Sequence, residues 1–155
     1  MTTAFTNTML TSSISPAYGY HHISLTRISF TAPEPLGSSQ NCTLHLHFTL
    51  PPLIFVDSYE LAHYEESYTF RHWGTSNLEL PVAALPQENA SLLLTARTTL
   101  NSTREVEVKL PFHVRYGDVT RVSLIGYEPT EMEWPTGFLA CSRSGTSSIS
   151  GIHNH

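Results

Sequence analysis

Thr43-Leu44-His45-Leu46-His47-Phe48-Thr49-Leu50 alternates without error between polar and apolar residues. In an extended chain successive side chains point to opposite sides, so Leu44, Leu46, Phe48 and Leu50 share one face and Thr43, His45, His47 and Thr49 the other. A helix would scatter these apolar residues around its axis. The stretch is therefore a half-buried strand whose apolar face needs a second layer to cover it.

Working outward, the same period recurs. Val106, Val108 and Leu110 alternate with Glu105, Glu107 and Lys109, and the pattern runs on with Phe112, Val114 and Tyr116 on the apolar side and His113 and Arg115 opposite. Pro111 interrupts the polar side; lacking an N–H, it predicts an edge or a bulge. Ser91 to Leu100 reads as a strand carrying Leu92, Leu93, Leu94 and Ala96, and Asn101-Ser102-Thr103 after it predicts a β-hairpin with the Val106 strand. Ile23, Leu25, Ile28 and Phe30 predict a strand whose alternation breaks once, around Arg27. Leu78 to Val82, a hairpin arm through Val122, Leu124 and Tyr127, and a closing strand from Trp134 to Cys141 complete the set. Leu53-Ile54-Phe55-Val56 is a short buried run, and Asp57, with Glu60 three residues on, predicts one or two capped helical turns. The expectation is an all-β protein, a single antiparallel β-sandwich of about seven strands.

Composition agrees. Only 14% of the 155 residues are charged, while Ser, Thr, Pro and aromatics abound, a balance that favours strands and turns. The net charge of −5, with eight Lys and Arg in no cluster, excludes the electrostatic footprint of a nucleic-acid binder. Met1 to Ser15 has neither basic residues nor a sustained apolar stretch, so it does not read as a signal peptide. No run approaches the roughly 20 apolar residues of a membrane-spanning helix. Residues 1–18 are expected to be a disordered polar leader and residues 142–155, rich in Ser and Gly, a disordered tail, flanking a β domain over 19–141.

Chemistry-bearing residues are few. Cys42 and Cys141 are the two cysteines and can form one disulfide, contributing roughly 3 to 5 kcal/mol in an oxidising compartment. Sequence alone does not bring their Cβ atoms together, so two unpaired thiols stand beside the disulfide as the slightly favoured alternative. Three N-glycosylation triplets begin at Asn41, Asn89 and Asn101, each at a loop or strand start. His45 and His47 share a strand face, but nothing forces His63, His72, His113 or Glu107 toward them, so a metal site is not expected. Asp57, Glu60, Glu65 and Glu66 cluster in sequence, and a cap plus a solvated turn explains them more simply than acid–base chemistry. There is no phosphate loop, nucleophile elbow or cofactor fingerprint, hence no catalytic residue and no cofactor. Tyr59, Tyr64, Tyr68, Phe70, His72 and Trp73 crowd one connection and form either a satellite core or a contact surface.

Three proline-punctuated apolar segments carry a resemblance: Leu50-Pro51-Pro52-Leu53-Ile54-Phe55-Val56-Asp57-Ser58-Tyr59-Glu60-Leu61, Leu80-Pro81-Val82-Ala83-Ala84, and Leu110-Pro111-Phe112-His113-Val114-Arg115-Tyr116. In this order and spacing, between Gly19-Tyr20-His21-His22 and Phe138-Leu139-Ala140-Cys141, they resemble the family of vertebrate PIG-X and fungal PBN1 proteins. The matching positions are Leu53, Phe55, Asp57, Tyr59, Leu61, Pro81, Pro111, His113, Arg115, Tyr116 and Cys141. The resemblance implies a non-catalytic, lumenal subunit of the endoplasmic reticulum mannosyltransferase that adds the first mannose of the glycosylphosphatidylinositol anchor. Its implied partners are the catalytic subunit and the membrane, reached through a C-terminal span that this chain lacks. The alternatives from other classes are a secreted or lumenal carbohydrate-binding β-sandwich and a histidine–metal β-barrel enzyme.

Overall fold

The computed structural model describes residues 8–30, 40–75, 84, 86–98, 105–116, 129–143 and 146–152. Its strands are β1 (Thr8–Ser15), β2 (His21–Phe30), β3 (Gln40–Leu50), β4 (Ile54–Phe55), β5 (Tyr68–Trp73), β6 (Ala90–Ala96), β7 (Glu105–Val114), β8 (Thr136–Arg143) and β9 (Thr146–Ile152), with one short helix, α1 (Ser58–Ala62). One antiparallel sheet has the order β1-β2-β7-β4 and the other β5-β6-β3-β8-β9, and the two pack as a sandwich.

The deciding strand behaves as its alternation requires. Leu44, Leu46, Phe48 and Leu50 are buried to 1% exposure or less, packed with Leu92, Leu94 and Leu139 of the same sheet and with Val106, Val108, Leu110 and Ile28 of the facing one. β3 is the middle of its sheet: Phe48 lies opposite Leu92 on β6, and Leu44 opposite Leu139 on β8. The same register sets Cys42 opposite Cys141, and a disulfide with an S–S distance of 2.05 Å joins them across 99 residues of chain. The favoured reading of two unpaired thiols is thus corrected, because ladder register, which local sequence does not encode, makes the two neighbours.

The expected break in β2 is absent. The strand keeps period two throughout, burying His22, Ser24, Thr26, Ile28 and Phe30 and turning Ile23 and Leu25 to the outer face. Following the apolar residues inward would need a bulge and lost ladder bonds; retaining an unbroken pairing with β7 and β1 instead buries two hydroxyls. The Thr26 hydroxyl is hydrogen-bonded to that of Ser12 at 3.0 Å, while Ser24 Oγ has no partner among the described residues.

Three further expectations change. The β6–β7 hairpin does not exist: β6 pairs with β3 and β5, and β7 with β2 and β4, so the intervening chain crosses between sheets. Leader and tail both contribute strands where disorder was expected. β1 inserts Leu10, fully buried, and β9 inserts Ile152, and these meet over Gly137 of β8, where a Cβ would lie 2.9 Å from Leu10 Cδ1 and 3.3 Å from Ile152 Cβ. Leu10 with the partly buried Ile14 in β1, Ile152 in β9, and a free sheet edge suffice to recruit the two segments, a signal too sparse to show as periodicity. Finally, the alternation fails at Pro111, which is buried between Leu110 and Phe112, and beyond the end of β7 at Val114 it is reversed: Arg115 is buried at 8% exposure and Tyr116 is 73% exposed. Pro111 sits opposite Ile23 of β2, and β4 reaches only Val114 and His113, so the proline's missing donor falls on an unpaired flank. The expected strand over 78–82 and the arm over 122–127 lie outside the described residues.

Candidate functional site: a histidine–carboxylate corner

At one end of the first sheet, β7 is flanked by β2 and by the short β4. His21 opens β2 and lies directly opposite His113 near the end of β7, whose other neighbour is Phe55 of β4. Cross-strand neighbours share a sheet face, so the three rings converge: His21 and His113 centroids are 4.8 Å apart, and Phe55 stacks on His113 at 5.2 Å. Two backbone bonds hold the ends of the three segments together, Val114 N to Tyr20 O at 2.8 Å and Arg115 N to Leu53 O at 2.7 Å.

The carboxylate arrives from α1. Asp57 caps this helix, its side chain accepting from Tyr59 N at 2.8 Å, and Leu61 anchors it in the core. Glu60 occupies the capping-box position but its carboxylate is used elsewhere, with Oε1 2.8 Å from His21 Nε2 and Oε2 2.8 Å from His113 Nε2. Burial by itself raises the Glu60 pKa, but the hydrogen bonds and electrostatic attraction of His21 and His113 outweigh it and hold the carboxyl below its usual range. His21 is about half exposed, whereas Glu60 and His113 are mostly covered, so the triad opens outward on the His21 side.

Around it stands an aromatic and cationic surround. The Arg115 guanidinium lies 4.4 Å from the centroid of Phe55, a cation–π contact, and burial lowers its pKa. Tyr20 and Tyr116 meet at 4.4 Å. His22, on the inner face, stacks on Phe112 and places Nδ1 2.7 Å from Pro16 O and Nε2 2.8 Å from Gly19 O. These two contacts tie down the β1–β2 turn from which Tyr20 and His21 emerge.

The residues singled out from sequence are distributed as follows. Phe55, Asp57, Tyr59, His113, Arg115 and Tyr116 gather at this corner with Leu53 behind them, Leu61 belongs to the core, Pro111 is buried, and Pro81 lies outside the described residues. Tyr59 is 83% exposed beside Glu60. Cys141 is in the disulfide, at the other sheet. Asn89 is exposed immediately before β6, Asn41 is the second residue of β3, and Asn101 is outside the described residues. His45 and His47 do not converge on a common point: His45 Nδ1 is 3.0 Å from Thr95 Oγ1, His47 is bonded to the Ser91 hydroxyl, and burial lowers the His45 pKa. Of the crowded aromatics, Tyr68 and Tyr64 stack inward, with Tyr68 Oη donating to Lys109 O at 3.0 Å, whereas Tyr59 and Trp73 remain on the surface. His21 and the true role of Glu60 were missed. The available signal was that His21, Glu60 and His113 each fall inside a quoted segment, but which face each shows depends on register.

Among the described residues no helix is long and apolar enough to cross a membrane. The family model described as PIG-X / PBN1 matches residues 17–152, which takes in every element of the corner. The chain is 30% identical over 131 residues to Protein pbn1 of Aspergillus fumigatus, covering 77% of this chain and 26% of that protein. Against Protein pbn1 of Aspergillus oryzae the figures are 30% over 131 residues, 77% and 23%, and against that of Emericella nidulans 29% over 127 residues, 72% and 24%. The chain thus spans about a quarter of the length of these curated relatives. A match that runs from the Tyr20–His21 turn through both sheets to Ile152 makes this chain a member of the PIG-X / PBN1 family.

Proposed function

We propose that this β-sandwich is the lumenal domain of a non-catalytic subunit of the endoplasmic reticulum mannosyltransferase that adds the first mannose during glycosylphosphatidylinositol-anchor synthesis. The observation that carries this reading is the family match over residues 17–152. The domain acts by binding the folded catalytic subunit and shifting its stability by mass action, while the chemistry belongs to that partner. A disulfide-linked sandwich suits an oxidising lumen. N-glycans at Asn101, Asn89 and Asn41 belong to the same proposal, and the exposed loop position of Asn89 supports the second of these.

The test uses two versions of the 155-residue chain in cells lacking the accessory subunit, one carrying a signal peptide and the other a signal peptide plus a transmembrane helix. Sharing a bilayer raises effective concentration, so the anchored version is expected to co-purify the transferase and restore surface display of lipid-anchored proteins better than the free one. If the anchored version does neither while a full-length relative does both, the reading fails and carbohydrate binding by the exposed tyrosines becomes the better one.

A further inference from the structure

We propose that His21, Glu60 and His113 form a binding site for a divalent transition metal of the zinc class. One imidazole comes from the start of β2, one from the end of β7 and the carboxylate from α1, and one ligand atom from each lies within 4.8 Å of the other two. Two imidazole nitrogens and one carboxylate oxygen are the donor set that suits zinc, whereas calcium and magnesium require mostly oxygen. Both histidines turn Nε2 toward the same carboxylate, at 2.8 Å each. On a tetrahedral zinc ion with bonds of about 2.0–2.1 Å the donor atoms stand about 3.3 Å apart, so the two N···O pairs must open slightly and the widest pair, now within 4.8 Å, must close. The half-exposed His21 ring is the one with room to turn, while His113 is held by its stack on Phe55.

Metal entry replaces the two Nε2–H to carboxylate hydrogen bonds with two N–metal bonds and one O–metal bond. A neutral imidazole that donates through Nε2–H shifts that proton to Nδ1 by exchange with solvent, and an imidazolium keeps Nδ1–H and releases the Nε2 proton to solvent. Nothing is oxidised or reduced. Three protein ligands leave the fourth position of a tetrahedral ion open on the exposed side, for water or a donor group from a bound partner. The site does not depend on the transferase reading, because it concerns only this chain and an ion.

Zinc uptake by the purified 155-residue chain, measured by equilibrium dialysis against zinc sulfate, tests the site, with Glu60→Gln, His113→Gln and a His45→Gln/His47→Gln control. One zinc per chain is expected in the wild type and the control, with affinity reduced more than roughly 100-fold in the two site variants, since outer-shell changes alone already cost 10–100-fold. Cobalt should give the intense visible d–d absorption of a tetrahedral ion in the wild type and lose it in both site variants. His21→Gln, altering a half-exposed ring, serves as the readout if His113→Gln loses its β circular dichroism. Absence of stoichiometric zinc, or uptake and cobalt spectra that do not differ between wild type and site variants, overturns the proposal and leaves a hydrogen-bonded triad.

Discussion

The β3 centre of the five-stranded sheet and the β2–β7 end of the four-stranded sheet are built on opposite plans. Around β3 the inward face is wholly apolar, the pairing is doubled on both sides and a disulfide crosses to β8. Along β2 the inward face carries His22, Ser24 and Thr26, and on the outer face His21 of β2 and His113 of β7 meet a carboxylate. Apolar burial contributes stability roughly in proportion to area, whereas a buried hydroxyl contributes only about 0.5 to 1.5 kcal/mol when hydrogen-bonded and costs stability when it is not. The difference teaches that a core built by both sheets leaves one end of the four-stranded sheet able to carry polar groups in register.

The sharpest way to break this contrast is Phe48→Ala, which removes a large side chain at 1% exposure and should cost about 3 to 5 kcal/mol in denaturant unfolding. A cost below about 1 kcal/mol would mean that β3 is not the stabilising centre. Replacing Cys42 and Cys141 together by Ser should cost about 2 to 5 kcal/mol, because the long loop regains its unfolded-state freedom. Chemical denaturation with and without reductant checks it, and only the wild type should respond to the reductant.

Smaller effects are expected at the polar end. Ser24→Ala removes a buried hydroxyl with no partner among the described residues and should leave stability unchanged or raise it by up to about 1 kcal/mol. A loss above that would reveal a bond that the hydroxyl makes. Glu60→Gln should cost roughly 0.5 kcal/mol near neutral pH, the scale of a partly exposed ion pair. Because the folded-state pKa of Glu60 lies below its unfolded value, its contribution is present above the ordinary carboxylate pKa and is lost as pH falls through the lowered one. Unfolding curves should therefore separate wild type from variant at neutral pH and converge in acid. A constant difference across that window would remove Glu60 from the pairing.

How much of this was legible follows the strength of the local pattern. Leu44 to Leu50 and Val106 to Leu110 announced their buried faces, and Asp57 announced its cap, because period and capping are properties of neighbouring residues. Ile23 and Leu25 misled, since their hydrophobicity argued for the inside while ladder continuity put Ser24 and Thr26 there. Glu60 misled in another way: its capping spacing was real, but two imidazoles nearby in space compete for the same carboxylate.

By itself, then, the sequence determined the fold class, the inward faces of β3 and β7 and the family, since each rests on short-range periodicity or ordered segments. Only the tertiary structure decided that β6 and β7 lie in different sheets, that residues 8–15 and 146–152 extend the sheets as edge strands, that Cys42 meets Cys141, and that His21, Glu60 and His113 converge. These are all matters of strand pairing over long sequence separations. A ladder's register follows from the packing of both sheets at once, and no window of neighbouring residues contains that information.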